Sequence, residues 1–165
     1  MTMTKNQDEM TKNQDELNEM IRQVESIFME KIPFNKLVGM HIVSLDTEGT
    51  KIKIEMQENL IGNFIQETLH GGVIAAVLDV TGGLTAFIDL LKKMDGIPRE
   101  EKLERLAKFG TIDLRIDYLR PGRGSYFIAH GSVLRTGNKI AVSRMELRND
   151  QNKLIAVGTG TYVVV

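Results

Sequence analysis

The 165-residue sequence contains no cysteine. This absence excludes disulfide bonds, thiolate metal sites and a cysteine nucleophile. The Gly-x-Ser-x-Gly pattern that carries the nucleophile of α/β-hydrolases is also absent. A chain without cysteine fits the reducing cytoplasm, and the cytoplasm is the compartment that we predict.

The sequence also has little net charge and few histidines. Its formal charge is -1, and the basic residues are spread along the chain, so the electrostatic signature of a nucleic-acid-binding protein is missing. The three histidines, His41, His70 and His130, are too scattered to predict a metal site. The Gly-Arg-Gly at 122–124 is too short for a dinucleotide-binding loop and precedes a strand rather than a helix. We therefore expect neither a metal nor a cofactor.

Long apolar runs and targeting signals are missing as well. The N-terminal stretch MTMTKNQDEM is polar and acidic, unlike the apolar region of a signal peptide. The longest apolar run, Val73 to Val80, is interrupted by Asp79 and flanked by glycines. We expect no membrane span, which requires about 20 apolar residues.

The length suits one domain, which we place at residues 17–165 after a leader of residues 1–16. The leader contains the segment TKNQDE twice, and within this seven-residue repeat only Met10 and Leu17, the residues that follow the two copies, are apolar. A coiled coil needs two apolar positions in each of several heptads. The sequence therefore predicts a disordered, duplicated leader.

Three segments have helical character. Apolar residues at helical spacing predict an N-terminal helix over 17–32, ended by Pro33. Residues 71–92 predict a long helix that is apolar on nearly every side and therefore buried on every side. The charged stretch 93–110 is interpreted as a surface excursion with a short helix after Pro98.

The remaining chain is typical of antiparallel strands. In TIDLRIDYLR, apolar Ile112, Leu114, Ile116 and Tyr118 alternate with charged residues, and Thr136-Gly137-Asn138 is a hairpin signal with Gly137 suited to positive φ. The segments expected to be extended are 37–45, 49–58, 111–120, 125–135, 139–149 and 153–164. One buried helix with five or six antiparallel strands defines an α+β fold in which the sheet curls around the helix.

One short motif suggests chemistry. His70-Gly71-Gly72 precedes the long helix, where free N–H groups and the helix dipole suit an oxygen that becomes negative during a reaction. Asp79 lies eight residues after Gly71, roughly 12 Å along the axis. One helix therefore cannot bring both groups to the same carbonyl. Two antiparallel copies of the helix in a symmetric dimer would do so, if both groups share a substrate.

Each of these residues also has a structural interpretation. Asp79 would cap a turn or pair with an arginine such as Arg144. His70 would act as a hydrogen-bonding residue at the helix start, and Gly71-Gly72 would permit close packing. All of these alternatives must hold together for the motif to carry no chemistry.

The motif HGGVIAAVLDVTGG (70–83), the strand and turn TIDLRIDYLRPGRG (111–124) and the closing hairpin segment 135–162 resemble the hotdog-fold thioesterases of the PaaI-like acyl-CoA thioesterase group. The resemblance covers residues 35–165 and leaves the leader outside. It implies a hotdog fold, with a curved antiparallel sheet wrapped around one long helix and paired into a homodimer whose helices run antiparallel. Whether dimers pair again into tetramers stays open.

The resemblance also implies roles for individual residues. Asp79 matches the acid that activates water or attacks the thioester, Gly71 the amide donor to the carbonyl, and His70 the histidine that shapes the loop. Relatives place an Asn or Gln seven residues before the glycine. Phe64 stands there in this chain, so the nearby Asn63 or Gln66 is expected to help hold the carbonyl.

The implied substrate is an acyl-CoA, and the resemblance is nearest to small bacterial enzymes with medium- and long-chain substrates. Residues expected to contact it are Gly72, an acyl tunnel with Leu60, Ile61, Phe64 and Ile65, and cations for the CoA phosphates at Arg120, Arg123, Arg135 and Lys139. A non-catalytic acyl-CoA sensor and a hotdog dehydratase are the alternatives. The sequence leaves three points open: the length of the acyl chain, whether the thiol carrier is CoA or a carrier protein, and whether Asp79 acts as a general base or forms an anhydride.

Overall fold

The computed structural model describes residues 15–46, 49–94 and 96–164. Most of the predicted leader, residues 1–14, lies outside this part of the chain, and residues 15 and 16 already belong to the first helix, α1. This helix is α-helical over 15–26 and ends in a π-helical turn at Ile27–Lys31. Its residues Met20 and Val24 are buried in the hydrophobic core, so α1 packs against the domain that follows it.

Pro33 separates α1 from a second, short helix. It lies in the first turn of α2 (Pro33–Val38), a position that suits proline because its missing N–H has no partner there. Gly39 ends α2 with a φ of 71° and donates its N–H to the carbonyls of Asn35 and Lys36. The predicted extended segment 37–45 is therefore wrong at its first two residues, which are helical.

The strands of the described chain form one large sheet and one small hairpin. They are β1 (His41–Asp46), β2 (Gly49–Glu55), β3 (Ile61–Asn63), β4 (Thr68–Leu69), β5 (Gly110–Tyr118), β6 (Tyr126–Thr136), β7 (Ile140–Asn149) and β8 (Leu154–Val163). A 3-10 turn at Glu58–Leu60 precedes β3. The six-stranded sheet has the order β1-β2-β6-β7-β8-β5 and is antiparallel throughout, while β3 and β4 pair only with each other.

The long helix α3 (Gly71–Lys93) lies in the curve of the large sheet and contacts five of its strands. Its approach to the sheet depends on small residues, because a side chain at Gly131 of β6 would collide with the hydroxyl of Thr85. Thr85 itself is buried and donates to the carbonyl of Thr81, 2.7 Å away. The α+β architecture predicted from the sequence, one buried helix wrapped by an antiparallel sheet, is confirmed.

By length and composition alone, α3 is long and apolar enough to cross a membrane, as the buried central helix of a folded domain also can be. Its most apolar window has a mean hydropathy of 1.8, and 61% of that window is buried inside the molecule. The expectation that no segment reaches the length and composition of a span is therefore wrong for α3. The enclosing sheet accounts for the apolar side chains on the faces of α3 that it covers. Val73, Ala76 and Val80 are only partly buried, so the prediction of a helix buried on every side is wrong for the first half of α3.

The charged stretch after α3 contains a further helix, α4 (Arg99–Ala107). Most of the α4 side chains that the structure describes are exposed, but Lys102 is buried and its ammonium lies 3.5 Å from the carboxylate of Glu16 in α1. The residues that flank α4 pack inward, since Met94 is buried and Phe109 packs against the core. This stretch therefore connects the N-terminal helix to the end of α3.

Two local predictions about the strands are wrong. The pairing of β5 with β8 shifts between Thr111 and Asp113, and the bulge leaves Ile112 56% exposed instead of on the inner face with Leu114. A bulge reverses the alternation of side chains along a strand, so Thr111 faces α3 in place of Ile112. The β6–β7 hairpin forms as expected, but Gly137 does not have a positive φ.

Candidate active site

The start of α3 is built by His70. This residue is the N-cap, with φ -63° and ψ 134°, and its ring Nδ1 accepts a hydrogen bond of 2.9 Å from the N–H of Gly72. The carbonyl of His70 accepts from Val73 and Ile74 at 3.0 and 3.1 Å. The neutral ring therefore carries its proton on Nε2, and His70 occupies three of the amides at the start of the helix.

Gly71 has the remaining amide of this turn. Within the part of the chain that the structure describes, no protein group accepts a hydrogen bond from its N–H. The carbonyl of Gly71 accepts from the hydroxyl of Tyr118, 3.0 Å away, which ties the helix start to the end of β5. The Gly71 N–H therefore lies at the positive end of the α3 dipole without a partner, as an oxyanion donor requires.

The hairpin before α3 carries four of the residues predicted to contact the substrate, which are Asn63, Phe64, Ile65 and Gln66. The side-chain oxygen of Asn63 accepts from the backbone N–H groups of Ile65 and Gln66 at 3.1 and 3.0 Å, so it closes the turn. The side-chain oxygen of Gln66 accepts from Arg123 at 3.1 Å. Phe64 and Ile65 form the tip and are 83% and 80% exposed. Asn63 and Gln66 thus fix the hairpin through their oxygens.

Asp79 lies in the middle of α3, where it contacts residues of the strands β5 and β8. Its Oδ1 accepts a hydrogen bond of 3.0 Å from the hydroxyl of Thr111 on β5. Its carbonyl oxygen accepts from the hydroxyl of Tyr162 on β8 at 3.1 Å. Burial raises the pKa of Asp79, and the hydroxyls of Thr111 and Tyr162 oppose this rise. Sequence reasoning missed both residues.

No cation neutralises Asp79 among the residues that the structure describes. Arg144, the partner considered from sequence, donates instead to the hydroxyl of Thr159 at 3.1 Å. Gly82 and Gly83 follow Asp79 in α3. Because neither has a side chain, the ring of Tyr162 has room to pack against this part of the helix. A half-buried carboxylate with a raised pKa and no salt bridge is typical of a group that acts as a base.

Gly71 and Asp79 of one chain remain apart. Both belong to the same continuous helix, so eight residues separate them by roughly 12 Å along the axis. The strand β5 runs beside the face of α3 that carries Gly71 and Asp79, because its Thr111 donates to Asp79 and its Tyr118 donates to Gly71. The other edge of β5 has no neighbouring strand within the described residues.

The predicted phosphate-binding cations fall into two separate groups. Arg120 and Arg123 lie in the loop after β5, which packs on the start of α3 through the bond from the Leu69 N–H to the Gly122 carbonyl, 2.9 Å. Arg135 and Lys139 flank the β6–β7 hairpin at the opposite end of α3, where Lys93 reaches the carbonyl of Thr136 at 3.4 Å. In one chain, only the first group lies near Gly71.

Comparison with known proteins identifies the family. Residues 66–156 match the model of the thioesterase superfamily, which is more than half of the chain. The chain belongs to the thioesterase superfamily. It is 44% identical over 144 residues to the medium/long-chain acyl-CoA thioesterase YigI of Escherichia coli K12, which covers 87% of this chain and 93% of the relative.

Solved structures agree with this assignment. A protein from Shewanella oneidensis related to the thioesterase superfamily superposes with a TM-score of 0.87 at 50% identity, covering 90% of this chain and 97% of its own. A putative thioesterase from Syntrophus aciditrophicus gives 0.79 at 47% identity and the same coverage. The Escherichia coli PaaI protein shares the fold, with a TM-score of 0.71 at 21% identity over 90% of this chain and 96% of that one.

These findings confirm the resemblance, the hotdog fold and the assignment as a thioester hydrolase. The described residues contain no group of three His, Asp or Glu side chains placed to hold a metal ion. Along α3, the Gly71 N–H and the Asp79 carboxylate are the two groups whose chemistry suits a thioester.

Proposed function

We propose that this thioesterase hydrolyses medium- or long-chain acyl-CoA to a free carboxylic acid and CoA. The YigI relative supports the substrate class, because it carries that activity in its name and covers most of the chain. The observation that carries the proposal is the pairing of two features on one helix. These are an amide at Gly71 with no acceptor in the described chain and an unneutralised, half-buried carboxylate at Asp79.

The Gly71 N–H is proposed to bind the thioester carbonyl oxygen. As the carbonyl carbon is attacked, negative charge develops on this oxygen, and the amide and the α3 dipole stabilise it. His70 acts as a positioning residue, because its ring holds the Gly72 amide and thereby leaves the Gly71 amide as the free donor. Preorganised donors of this kind contribute about 100- to 1,000-fold in rate.

Asp79 is proposed to act on the other side of the carbonyl. As a general base it takes a proton from water while the water oxygen attacks the carbonyl carbon. The C–S bond then breaks, and the proton passes to the CoA sulfur. In the alternative route Asp79 attacks the carbon directly, CoA leaves, and water hydrolyses the resulting anhydride. Thr111 binds Oδ1 in either case, which leaves Oδ2 for the reaction.

Each active site is proposed to combine two subunits. The separation of about 12 Å along α3 prevents one chain from presenting both groups to the same carbonyl. In a homodimer with antiparallel α3 helices, the Gly71 end of one subunit lies opposite Asp79 of the other, and two equivalent sites form. The free edge of β5, beside this face of α3, supports pairing of two copies.

The test measures thiol release from acyl-CoA thioesters of increasing chain length, with wild type beside Asp79→Asn. The variant keeps the size of the side chain and removes its charge and basicity. We expect a loss of a hundredfold or more, the size of a lost general base. Asp15→Asn, an exposed site in α1, is the matched control.

Two outcomes would overturn this proposal. Binding of acyl-CoA without any thiol release by wild type would identify a sensor. Hydration of an enoyl thioester without thiol release would identify a hydratase. Full activity of Asp79→Asn would leave the reaction in place but disprove the role of Asp79.

A further inference from the structure

Tyr162 lies near the end of β8, and its side chain is completely buried against the middle of α3. Its hydroxyl donates to the backbone carbonyl oxygen of Asp79, 3.1 Å away. A buried hydroxyl without an acceptor is costly, and this bond supplies the acceptor. The contact attaches the backbone of Asp79 to a strand of the large sheet.

Three glycines make room for the Tyr162 side chain. A methyl group at Gly82 of α3 or at Gly160 of β8 would collide with the hydroxyl, and one at Gly83 would lie 3.3 Å from the ring. Glycine in the interior of a helix is less stable than alanine. The chain therefore has two unfavourable helix residues in succession at the place where the phenol lies.

A second aromatic ring fixes the orientation of the Tyr162 ring. Phe109, the last residue before β5, stacks on Tyr162 with ring centroids 5.7 Å apart and an angle of 11° between the ring planes. Phe109 also meets Phe87 of α3 edge to face, with centroids 5.3 Å apart. Such contacts favour one arrangement of the rings, so the hydroxyl of Tyr162 is held at one place beside Asp79.

The phenol also acts on the side chain of Asp79. Among the described residues, the groups that face this carboxylate are the hydroxyl of Thr111 from β5 and the phenol of Tyr162 from β8. Burial and the neighbouring carboxylate raise the pKa of Tyr162, so the phenol keeps its proton at neutral pH and remains a donor. A protonated hydroxyl beside a carboxylate favours the ionised form of that carboxylate.

We propose that Tyr162 is a positioning residue for Asp79, which holds the carboxylate in place for the reaction on the thioester and stabilises its charged form. The inference rests on the proposed function, because Asp79 is the group through which Tyr162 acts. Tyr162 is completely buried and has no surface to offer a substrate. Its hydroxyl should therefore affect kcat and not KM.

The first test is Tyr162→Phe, which removes the hydroxyl and keeps the ring that stacks on Phe109. We expect kcat for dodecanoyl-CoA to fall about five- to tenfold, as for the loss of one buried hydrogen bond, with KM at the wild-type level. The acidic limb of the pH profile of kcat should move to higher pH, because the charged form of Asp79 loses a donor. Tyr126→Phe, the same change at a half-buried tyrosine of β6 outside this cluster, is the control and should alter neither.

Direct titration of Asp79 separates this proposal from the proposed function. The carboxyl ¹³C signal of Asp79, assigned by its absence in Asp79→Asn, is followed against pH in the full chain. It should titrate at higher pH in Tyr162→Phe than in wild type and in Tyr126→Phe. This shift supports the contact even if wild type releases no thiol from any thioester.

Phe109→Leu is a second variant, which also serves if Tyr162→Phe does not fold. It keeps the phenol and an apolar side chain but removes the stacked ring, so kcat and the Asp79 titration should change in the same direction by a smaller amount. Circular dichroism checks that each variant is folded.

Two results would overturn the proposal. One is a folded Tyr162→Phe protein with the wild-type kcat and an unchanged titration of Asp79. The other is a loss of rate in Tyr162→Phe without any shift in the titration or in the pH profile, which is the result of a purely structural role.

Discussion

The hydroxyl of Thr111 donates to Oδ1 of Asp79 at 3.0 Å and thereby joins the edge strand β5 to the middle of α3. The bulge at Ile112 makes this contact possible, since regular alternation would direct Ile112 to the helix instead. The bond stabilises the ionised carboxylate and opposes the rise in pKa that burial causes. Because Thr111 occupies Oδ1, the proposed reaction would use Oδ2 of Asp79.

Replacement of Thr111 by valine tests this relationship. The variant keeps the shape of the side chain and removes the hydroxyl, so the pKa of Asp79 should rise further. At any given pH a larger fraction of the carboxyl is then protonated and inactive. We expect kcat/KM to fall roughly tenfold, as for a lost hydrogen bond to a charged group, and the acidic limb of its pH profile to move to higher pH.

The matched control for this change is Thr111→Ser, which retains the hydroxyl. Its pH profile should overlay that of wild type, with a smaller loss of rate. A purely structural role of Thr111 would reduce the activity of both variants without moving the acidic limb. A valine variant with the wild-type profile would contradict the prediction.

Asp79→Asn should be more stable than wild type at neutral pH. Burial raises the folded-state pKa of Asp79, so folding disfavours its ionised form. This cost is absent below the unfolded-state pKa of about 4 and grows as the pH rises through the folded-state value. Urea unfolding at pH 7 should show a gain of roughly 1 kcal/mol, within the range of single stabilising substitutions.

The gain should disappear when the same unfolding is measured near pH 3, where the carboxyl is protonated in both states. Asp15→Asn should show no difference at either pH, because that side chain is exposed. An Asp79→Asn protein less stable than wild type at pH 7 would mean that the charge stabilises the fold.

Much of this fold follows from patterns in the sequence. The bounds of α3 and of β6 to β8 agree with the predicted segments within one or two residues, because apolar periodicity reflects burial directly. The pattern His70-Gly71-Gly72 correctly predicted a helix start, since glycine next to a capping residue is a local signal.

Other features depend on contacts that no local pattern records. The bulge at Ile112 arises from the pairing of β5 with β8. Because the sequence of β5 alternates regularly, it does not show that Thr111 contacts Asp79. Tyr118 looked like an apolar member of that strand, but its hydroxyl binds the carbonyl of Gly71. The sequence shows that Arg120, Arg123, Arg135 and Lys139 lie near turns. Only the folded structure shows that the first two and the last two lie at opposite ends of α3.

The Gly71 amide can be removed with little damage to the helix. Gly71 is the first residue of α3, the position at which proline is best tolerated, and His70 already has the extended backbone that a residue before proline requires. Gly71→Pro should therefore fold and lose about 100-fold or more in kcat. Gly71→Ala keeps the N–H and places its methyl group 3.6 Å from Tyr118, an ordinary contact, so it should stay active.

Circular dichroism and thermal unfolding would check that both variants are folded. Equal activity of the proline and alanine variants would show that the Gly71 N–H does not bind the carbonyl. Loss of activity in both would indicate that the backbone shape at this glycine matters more than its amide.

Mixing two inactive variants tests the division of the active site between subunits. If each site uses Gly71 of one chain and Asp79 of the other, a heterodimer of Gly71→Pro and Asp79→Asn contains one intact site and one doubly damaged site. Unfolding and refolding an equal mixture gives heterodimers as half of the molecules. About one quarter of the wild-type activity should therefore return.

Each variant refolded alone is the control and should remain inactive, which excludes recovery through refolding itself. If both groups served the same chain's site, every site in the mixture would retain one defect and no activity would return. Recovery must also depend on subunit exchange, so the two proteins mixed in the folded state and assayed at once should start inactive. Activity that returns only after refolding would place Gly71 and Asp79 of different subunits on one thioester.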